Sequence, residues 1–317
     1  MHILLTGGAG FIGSHVVDAL VADPRVDFVR VLDNFSTGSR ENLAHLSGHP
    51  HFGLVEGDIR DYATVLEACK GIDRICHQAA LGSVPRSIAD PLTTNAVNAD
   101  GTLNVFWAAA RSGIKRIVYA SSSSVYGDHP DLPKREALTG KPLSPYAVSK
   151  TINEFYAGVF GSLYGLELIG LRYFNIFGPR QSPEGPYAAV IPRLMQAIRL
   201  GHPPVIHGDG LQSRDFTYVD NAVQANLLGL FTDNPDALNQ TYNIACGAQM
   251  TLLDLYAVLQ ELSGTSIPPV FEPARPGDVR HSLADISKAR QSLGYRPAVG
   301  IREGLNFMVK QTTTDER

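Results

Sequence analysis

The chain has 317 residues, of which 44% are hydrophobic and 18% charged, so it can form one large core or two adjoining domains. Its net charge of −4 provides no broad basic field, which argues against a nucleic-acid partner. The cysteines and histidines have no disulfide-type or metal-ligand spacing, and no apolar run reaches the roughly 18 residues of a membrane span, so we expect a cytoplasmic protein with no metal and no membrane partner.

Short apolar segments alternate with amphipathic segments through the first half of the chain. The apolar segments predict strands at 3–5, 28–32, 52–56, 74–77, 116–120 and 167–172. The amphipathic segments predict helices at 14–21, 62–69, 92–111 and 145–164. This alternation indicates the α/β class, with a doubly wound parallel sheet of the Rossmann type.

The alternation ends near residue 175, where proline and glycine become frequent. We therefore expect a Rossmann domain over residues 1–174 and a smaller C-terminal lobe over residues 175–317. A helical pattern at 219–231 and an apolar segment at 242–245 predict that residues 219–245 return to the first domain.

Gly7, Gly10 and Gly13 lie between the first predicted strand and the first predicted helix. Glycines there allow a tight turn and a close backbone approach to a pyrophosphate, which the helix N-terminus then binds. Asp33 follows Gly13 by 20 residues and ends the second predicted strand. A carboxylate there accepts hydrogen bonds from ribose hydroxyls and repels a 2′-phosphate, so the pattern predicts NAD rather than NADP.

Other strand ends contribute further candidates, because the carboxyl ends of parallel strands bind ligands in open α/β sheets. Asp58 can reach an adenine, although a simple turn is the alternative, and residues 79–80 let a cofactor pass close to the backbone. Four serines at 121–124 follow the fifth strand. Of these, Ser122 is favoured as the hydroxyl that bridges a substrate oxygen and a catalytic tyrosine, and Ser123 is the next choice.

Tyr146 and Lys150 lie four apart on a predicted helix that Ser144 can cap and Pro145 can open, so both side chains share one face. A free tyrosine has a pKa near ~10 and is a poor base at neutral pH. A lysine ammonium one turn away, together with an oxidised nicotinamide ring, would favour the phenolate and lower that pKa. The pair therefore indicates a tyrosine base.

These motifs together resemble the extended short-chain dehydrogenases/reductases, specifically their nucleotide-sugar 4-epimerase branch. The resemblance covers essentially the whole chain and rests on the glycine turn, Asp33, Ser122, Tyr146, Lys150 and the segments 172–175, 213–216 and 275–278. Segments 77–87 and 187–192 most resemble bacterial UDP-N-acetylglucosamine 4-epimerases.

The resemblance implies an NAD-dependent inversion at carbon 4 of a UDP-hexose. Tyr146 would take the proton of the 4-hydroxyl while hydride passes to NAD, and the 4-keto sugar would rotate and receive the hydride on its other face. The NAD would be regenerated and stay tightly bound. The predicted cofactor contacts are Gly7, Gly10, Phe11, Ile12, Gly13, Asp33, Asn34, Ser36, Thr37, Gly38, Asp58, Ile59, Ala79, Ala80, Tyr146, Lys150 and Tyr173.

The resemblance also implies how a UDP-sugar would be held. Arg214 and Arg275 would bind the diphosphate, because a planar guanidinium makes two charge-assisted bonds at once, although a surface ion pair is the alternative for each. Asn175 would contact the diphosphate or the sugar, or simply end its strand in a turn. The full predicted substrate set is Ser83, Ser122, Ser123, Tyr146, Asn175, Ala189, Val190, Val205, His207, Arg214, Arg275, Asp278 and Ser282, with Asp278 on the uridine ribose and residues 190 and 205–207 around the uracil.

Other reactions on the same scaffold remain as alternatives. The resembling dehydratases carry an Asp-Glu pair, and the decarboxylases a Glu, where this chain has Ser123 and Ser124. Without a carboxylate to drive elimination, return of the hydride is the favoured outcome. A non-catalytic dinucleotide sensor is the other alternative, but we expect such a protein to lack the Tyr146–Lys150 pair.

Two further expectations follow from the resemblance. Ser282 occupies the position where a bulky tyrosine narrows the sugar pocket in many relatives, so N-acetylated UDP-hexoses should be accepted, while Gly82 lacks the lysine that many UDP-galactose epimerases carry. The family also pairs the helices at 92–111 and 145–164 across a two-fold axis, which predicts a homodimer held by a four-helix bundle. Burial against the chain's own sheet is the alternative for the apolar positions on those helices, which include Leu103, Phe106, Phe155 and Phe160.

Overall fold

The computed structural model describes residues 1–184, 188–274 and 280–314. Its strands are β1 (His2–Thr6), β2 (Phe28–Asp33), β3 (Phe52–Glu56), β4 (Arg74–His77), β5 (Arg116–Ser122), β6 (Glu167–Tyr173), β7 (Ile176–Phe177), β8 (Val205–His207), β9 (Ser213–Arg214), β10 (Thr217–Tyr218), β11 (Gln240–Ile244), β12 (Met250–Thr251) and β13 (Val270–Glu272). Its α-helices are α1 (Phe11–Val21), α2 (Tyr62–Ala68), α3 (Val84–Ala89), α4 (Pro91–Asn95), α5 (Gly101–Arg111), α6 (Pro145–Tyr164), α7 (Val190–Arg199), α8 (Val219–Phe231), α9 (Leu252–Ser263), α10 (Ser287–Ser292) and α11 (Ile301–Thr314). Within the described ranges, we find no helix both long and apolar enough for a membrane span.

One parallel sheet organises the molecule, with strand order β11-β6-β5-β4-β1-β2-β3. Alternate residues of β1 enter opposite layers, since Ile3 and Leu5 pack with α1 and α8 while Leu4 packs with α2, α5 and α6. Both faces are therefore covered, which confirms the predicted doubly wound sheet. The carboxyl ends of β1, β4, β5 and β6 meet along one edge, where the strand order reverses and ligands bind in such sheets.

The chain leaves the sheet after β6 and returns to it at β11, which pairs in parallel with β6 from Gln240 opposite Ile169 to Ile244 opposite Tyr173. Between and after these strands, α7, α9 and α11 pack together on a third apolar cluster. We retain the division into a Rossmann domain of residues 1–174 and a substrate lobe of residues 175–317 as a proposal.

The predicted helix at 92–111 differs from the observed structure. The chain forms α4, then a π-helical segment at Ala96–Asp100, and then α5. Asn98 explains the wider turn, because its side chain accepts a bond from the Leu81 amide at 2.8 Å and donates to the Leu81 carbonyl at 3.0 Å. These tertiary bonds hold Asn98 toward Leu81 and the carboxyl end of β4. Such π-helical segments are frequent near functional sites.

Candidate active site

The glycine turn packs too closely for side chains. A Cβ atom on Gly13 would lie 2.0 Å from the Gly7 carbonyl oxygen, and one on Gly7 would lie 2.5 Å from the Ala79 amide nitrogen. Gly10 precedes α1 without a capping side chain, so the first amides of this helix have no side-chain partner at the cap. The turn thus forms an anion cradle of backbone N–H groups at the positive end of a helix.

Asp33 lies beside this cradle and supports it. One carboxylate oxygen accepts a bond from the Ala9 amide at 2.8 Å, and the other accepts from the Phe35 amide at 2.8 Å. A carboxylate has about four lone-pair positions, so two stay available on the cavity that Asp33 lines. This geometry suits a diol such as a ribose and adds a role in ordering the glycine turn.

A cavity runs from the glycine turn to the ends of β5 and β6 and brings together nearly all of the predicted cofactor residues. Gly38 is the exception, because it packs against Ala9 behind the turn, where a Cβ would lie 2.6 Å from the Ala9 carbonyl carbon. The predicted residues that line this cavity are Gly7, Gly10, Phe11, Ile12, Gly13, Asp33, Asn34, Ser36, Thr37, Asp58, Ile59, Ala79, Ala80, Tyr146, Lys150 and Tyr173. The lining residues that the sequence did not predict as contacts are Leu32, Gly57, Gln78, Leu81, Gly82, Val97, Ala120 and Ser121.

Asp58 lies at the end of this cavity that is formed by β2 and β3. Bonds from Arg60 and one from Asn34 lower the pKa of Asp58 to about 2. The Arg60 guanidinium approaches the carboxylate at 2.7 Å, and the Asn34 amide donates to it at 2.8 Å. Asp58 is therefore ionised and joins the Asn34 and Arg60 side chains to each other. It thus makes more contacts than the simple turn residue considered as the alternative.

Tyr146 and Lys150 face the same cavity from α6. The helix begins as the sequence predicts, with Pro145 in its first turn and the Ser144 hydroxyl accepting a bond from the Ala147 amide at 3.1 Å. The buried Lys150 ammonium donates to the Ala120 carbonyl at 2.9 Å. The pair is thus fixed against the end of β5.

Ser122 is the serine that acts on the tyrosine, because its hydroxyl lowers the pKa of the Tyr146 phenol against the effect of burial. Its hydroxyl also accepts a bond from the Ser124 amide at 3.1 Å, which orients the side chain. Ser123 starts a 3₁₀ turn. Of the four serines, Ser121 is the one among the described lining residues of the cavity, whereas Ser122 is the one that acts on Tyr146. The geometry therefore favours Ser122 over Ser123.

Burial governs the ionisation of both groups in the chain itself. It raises the pKa of Tyr146, and the bond with Ser122 offsets only part of that rise. It also lowers the pKa of Lys150 to about 8, against the opposing effect of the Glu154 carboxylate. Desolvation of the phenolate therefore determines the pKa of Tyr146 in the chain itself. The lowering of this pKa by lysine and nicotinamide together stays a prediction.

His77 lies beneath the pair as a buried, neutral side chain. Its Nδ1 is 2.6 Å from the Thr6 hydroxyl and its Nε2 is 2.9 Å from the Thr102 hydroxyl. Burial, with a contribution from Lys150, lowers the pKa of His77 to about 3. Among the described residues that line this cavity, Lys150 is therefore the cationic one.

A second cavity lies between α7 and β8, beyond the end of β6. The predicted substrate residues that line it are Asn175, Val190, Val205, His207 and Arg214. Its other lining residues are Ala188, Arg193, Leu194, Gln196, Ala197, Leu200, His202, Pro203, Pro204, Ile206, Gln212, Phe216 and Leu252. Ala189 precedes α7 as its N-cap, and the neighbouring Ala188 lines the cavity instead.

Two predicted substrate residues have other positions, and two more lie outside the described residues. Ser83 has a φ of 98° and caps α3, its hydroxyl accepting a bond from the Arg86 amide at 3.4 Å, so in the structure it serves the local fold. Ser282 lies beside β9, where its amide donates to the Ser213 carbonyl at 3.0 Å. Arg275 and Asp278 lie outside the described residues, as does Tyr187 of the segment 187–192.

Acidic residues near the site are few. In the parts of the chain that the structure describes, the carboxylates lining the two cavities are Asp33 and Asp58. Both lie at the far end of the first cavity from Tyr146, on β2 and just after β3. An acid–base pair for elimination beside the tyrosine is therefore not among the described lining residues.

The apolar positions predicted for a dimer interface separate into two groups. For Phe106 and Phe160 the alternative of burial against the sheet is confirmed, since both lie in the chain's own core between α5, α6 and the sheet. Leu103 is partly buried against the same core. Phe155 is 71% exposed, and Leu163 on the same helix is also 71% exposed.

A Rossmann sheet, a glycine cradle with a diol-binding carboxylate and a tyrosine–lysine pair define a dinucleotide-dependent enzyme of the short-chain dehydrogenase/reductase class. Residues 3–245 match the model of the NAD dependent epimerase/dehydratase family. The chain belongs to this family, and NAD is its cofactor.

Known relatives span nearly the full length of the chain. A UDP-glucose 4-epimerase of Mycolicibacterium smegmatis is 37% identical over 96% of both chains. A UDP-N-acetylglucosamine 4-epimerase from Methanobrevibacter ruminantium, solved with UDP-N-acetylmuramic acid, is 41% identical, with a TM-score of 0.93 over 99% of this chain and 98% of that one. A dTDP-glucose 4,6-dehydratase from Streptomyces venezuelae, solved with NAD, is 32% identical, with a TM-score of 0.91 over 100% and 98%. An epimerase and a dehydratase both share this fold closely, so the fold does not determine which reaction is catalysed; the residues of the site do.

Proposed function

We propose that this protein inverts carbon 4 of a UDP-hexose through a 4-keto intermediate. The observation that carries this proposal is the convergence of Ser122, Tyr146 and Lys150 at the end of β5, where no carboxylate lies among the described lining residues. A tyrosine–lysine pair supports oxidation and reduction at a carbinol carbon. Elimination would need an additional acid and base beside it, so reduction of the keto sugar completes the reaction.

The residues present fit the cofactor. The backbone cradle at Gly7, Gly10 and Gly13 suits its pyrophosphate, and Asp33 suits its adenosine ribose. When bound, NAD accepts hydride from the sugar carbon and returns it. Tyr173 and Ala79 form the cavity wall near Lys150, whose ammonium would hold the nicotinamide ribose.

Tyr146 acts as the base that removes the proton of the sugar hydroxyl and later returns it. Its phenolate is disfavoured by burial, so the positive charges of Lys150 and the oxidised nicotinamide must stabilise it. Ser122 holds the phenol through its hydrogen bond and can bond the same sugar oxygen. Proton and hydride thus leave the sugar toward different partners.

The second cavity takes the uridine diphosphate. Arg214 supplies a guanidinium for the diphosphate, and the Val190, Val205 and His207 wall suits a planar base. Asn175 lies at the junction of this cavity with the end of β6 and holds a left-handed conformation, with φ of 40° and a bond to the Asp215 carbonyl at 3.1 Å. By resemblance, Arg275 and Asp278 complete the site.

We propose further that N-acetylated UDP-hexoses are substrates. The likeness to the epimerase from Methanobrevibacter ruminantium supports this choice, as does the small Ser282 next to β9. The test is NMR product analysis with UDP-glucose, UDP-galactose and their N-acetyl forms. Interconversion of the N-acetyl pair is expected, and Ser282→Tyr should reduce turnover of that pair selectively. An equal loss for both sugar classes would exclude Ser282 as the determinant, and a 4-keto-6-deoxy product would replace epimerisation by dehydration.

Tyr146→Phe tests the reaction chemistry directly. The variant keeps the ring but loses the proton-transferring oxygen, so turnover should fall by about 10²–10⁴-fold with the fold retained. Tyr119→Phe is a matched control, because Tyr119 is a buried tyrosine on β5 that does not belong to the described cavity lining. Full activity of Tyr146→Phe would remove the proposed base.

We also propose a homodimer in which α5 and α6 of two copies form a four-helix bundle. The exposed apolar side chains of α6, Val148, Phe155, Val159 and Leu163, together with Trp107 of α5, support this arrangement. Such a stripe is costly to leave in water and is typical of an isologous interface.

A further inference from the structure

Glu154 extends the face of α6 that carries the catalytic pair. Tyr146, Lys150 and Glu154 are spaced four residues apart, so they lie on one side of the helix over successive turns. The first two are bonded to the end of β5, as described above. The third is bonded there as well, since the Ser121 hydroxyl donates to a Glu154 carboxylate oxygen at 2.5 Å. Three consecutive residues of β5, 120–122, therefore hold three turns of α6.

Glu154 is also half of a buried ion pair. Arg172 of β6 stands opposite Ser121 in the strand register and donates two bonds to the Glu154 carboxylate, at 2.9 and 2.7 Å. The Arg172 and Glu154 side chains are only 4% and 13% exposed. Arg172 is held in turn by the Tyr126 phenol and the Glu136 carbonyl, both at 3.0 Å. This bidentate geometry leaves the carboxylate little freedom to move.

The charge of Glu154 acts on Lys150 as well. Burial disfavours the ammonium of Lys150, and the Glu154 carboxylate opposes that effect. The titratable groups around these two residues are Tyr146 on α6, the neutral His77 on β4, Tyr119 on β5, Tyr126 and Glu136 after β5, Arg172 on β6 and Lys288 on α10. Glu136 acts on Tyr126 and Lys288, and Glu154 is the carboxylate that favours the charged form of Lys150.

We propose that Glu154 is a positioning residue of the active site, which ties α6 to the end of β5 and fixes a carboxylate one helical turn from Lys150. Glu154 does not belong to the described lining of the cofactor cavity, so it acts through Lys150 and Ser121 rather than on the reacting atoms. The role in turnover rests on the proposed function, whereas the action on Lys150 does not.

The test uses Glu154→Gln with a matched control on the same two strands. Arg116 of β5 and Glu167 of β6 form a second ion pair at the opposite end of the same strands, with both nitrogens bonded to one carboxylate oxygen at 3.0 and 2.8 Å and the Glu167 side chain 34% exposed. Glu154→Gln and Glu167→Gln are each made in the natural chain and in a Lys150→Met background. The thermal unfolding midpoint of each purified protein is measured at neutral pH.

Glu154→Gln should lower the midpoint less in the Lys150→Met background, because no buried ammonium then depends on the carboxylate. Glu167→Gln should lower it equally in both backgrounds. An equal loss for Glu154→Gln in both backgrounds would overturn the proposal, whatever the turnover.

The pH profile of turnover is the second readout. Loss of the Glu154 charge should move the alkaline limb of the profile to lower pH by about one unit, since Lys150 then loses its proton earlier. Glu167→Gln should leave that limb in place, and a limb that stays fixed in Glu154→Gln would contradict the electrostatic role.

Ser121→Ala covers the case in which Glu154→Gln does not fold. It removes the link to β5 but keeps the carboxylate beside Arg172, so kcat should fall about tenfold with KM and the alkaline limb unchanged. An unchanged kcat would refute the positioning role. If the natural chain converts no UDP-sugar, the proposed function fails, and the unfolding comparison alone still decides the action of Glu154 on Lys150.

Discussion

Gly13 and Gly82 both line the cofactor cavity, yet their surroundings differ sharply. A Cβ on Gly13 would meet the Gly7 carbonyl oxygen at 2.0 Å, whereas a Cβ on Gly82 would meet nothing within 4 Å. The first glycine is required by backbone packing and the second is not. The backbone at the second position could therefore carry a Cβ atom without steric conflict.

Gly13→Ala should consequently disrupt the cradle, because backbone atoms rather than a flexible side chain stand in the way of the new methyl group. The variant should purify with most of its NAD missing and unfold at a lower temperature. Cofactor content is measured by releasing NAD from the purified protein and quantifying it. Gly82→Ala is the control and should retain NAD as the natural chain does; equal retention by both variants would contradict the steric argument.

The tyrosine–lysine pair was predictable from sequence because its evidence is local. Residue spacing, a serine cap and a proline in the first turn place both side chains on one helical face. Glu154 has the same spacing, but its importance depends on Ser121 and Arg172, which are brought together by the pairing of β5 and β6. Local patterns do not contain that information, so the role of Glu154 emerged only from the structure.

Among the elements, the seven strands of the main sheet and the α6 helix were predicted closely, because buried parallel strands and capped helices have strong local patterns. The short strands outside that sheet were not predicted. The π-segment at Ala96–Asp100 was not, since it depends on the distant contact of Asn98 with Leu81. The sequence left the burial of Phe106 and Phe160 open for a related reason. Helices α5 and α6 are apolar on more than one side, and periodicity does not show which side meets the sheet.

Asn98 should therefore contribute more to the free energy of unfolding than an ordinary asparagine in a helix. It satisfies both backbone groups of Leu81 and donates to the Ser149 hydroxyl at 3.1 Å. Asn98→Ala leaves buried polar groups without partners, so the free energy of unfolding should fall by about 2–3 kcal/mol. Urea denaturation measures this loss.

Asn104→Ala on α5 is the matched control. Its side chain also donates two backbone bonds, to the Ile59 and Arg60 carbonyls at 3.0 Å, but this site is more exposed. Water can replace those bonds, and the loss should stay below about 1 kcal/mol. Similar losses of unfolding free energy in the two variants would show that the Asn98 bonds contribute no more to stability than those of Asn104.

At the scale of the whole molecule, the proposed dimer rests on a stripe of α6. Leu163→Glu places a charge on the exposed apolar stripe of α6 that the proposed bundle would bury, so the variant should elute as a monomer while keeping its fold and its bound NAD. Light scattering coupled to size exclusion measures the mass. Leu54→Glu on β3, where the side chain is 39% exposed at the far edge of the sheet, is the control and should not change the mass. A dimer that survives Leu163→Glu would contradict the bundle.

The return of the chain at β11 has a consequence for dissection of the protein. Because β11 covers β6, a fragment ending at residue 174 would leave β6 as a naked outer strand, with its hydrogen-bonding groups and the apolar residues beside them open to other molecules. Residues 1–174 therefore form six of the seven strands of the sheet, and the seventh comes from the later part of the chain. The hydrogen-bonding edge of β6 is covered by β11, which the chain contributes about seventy residues later.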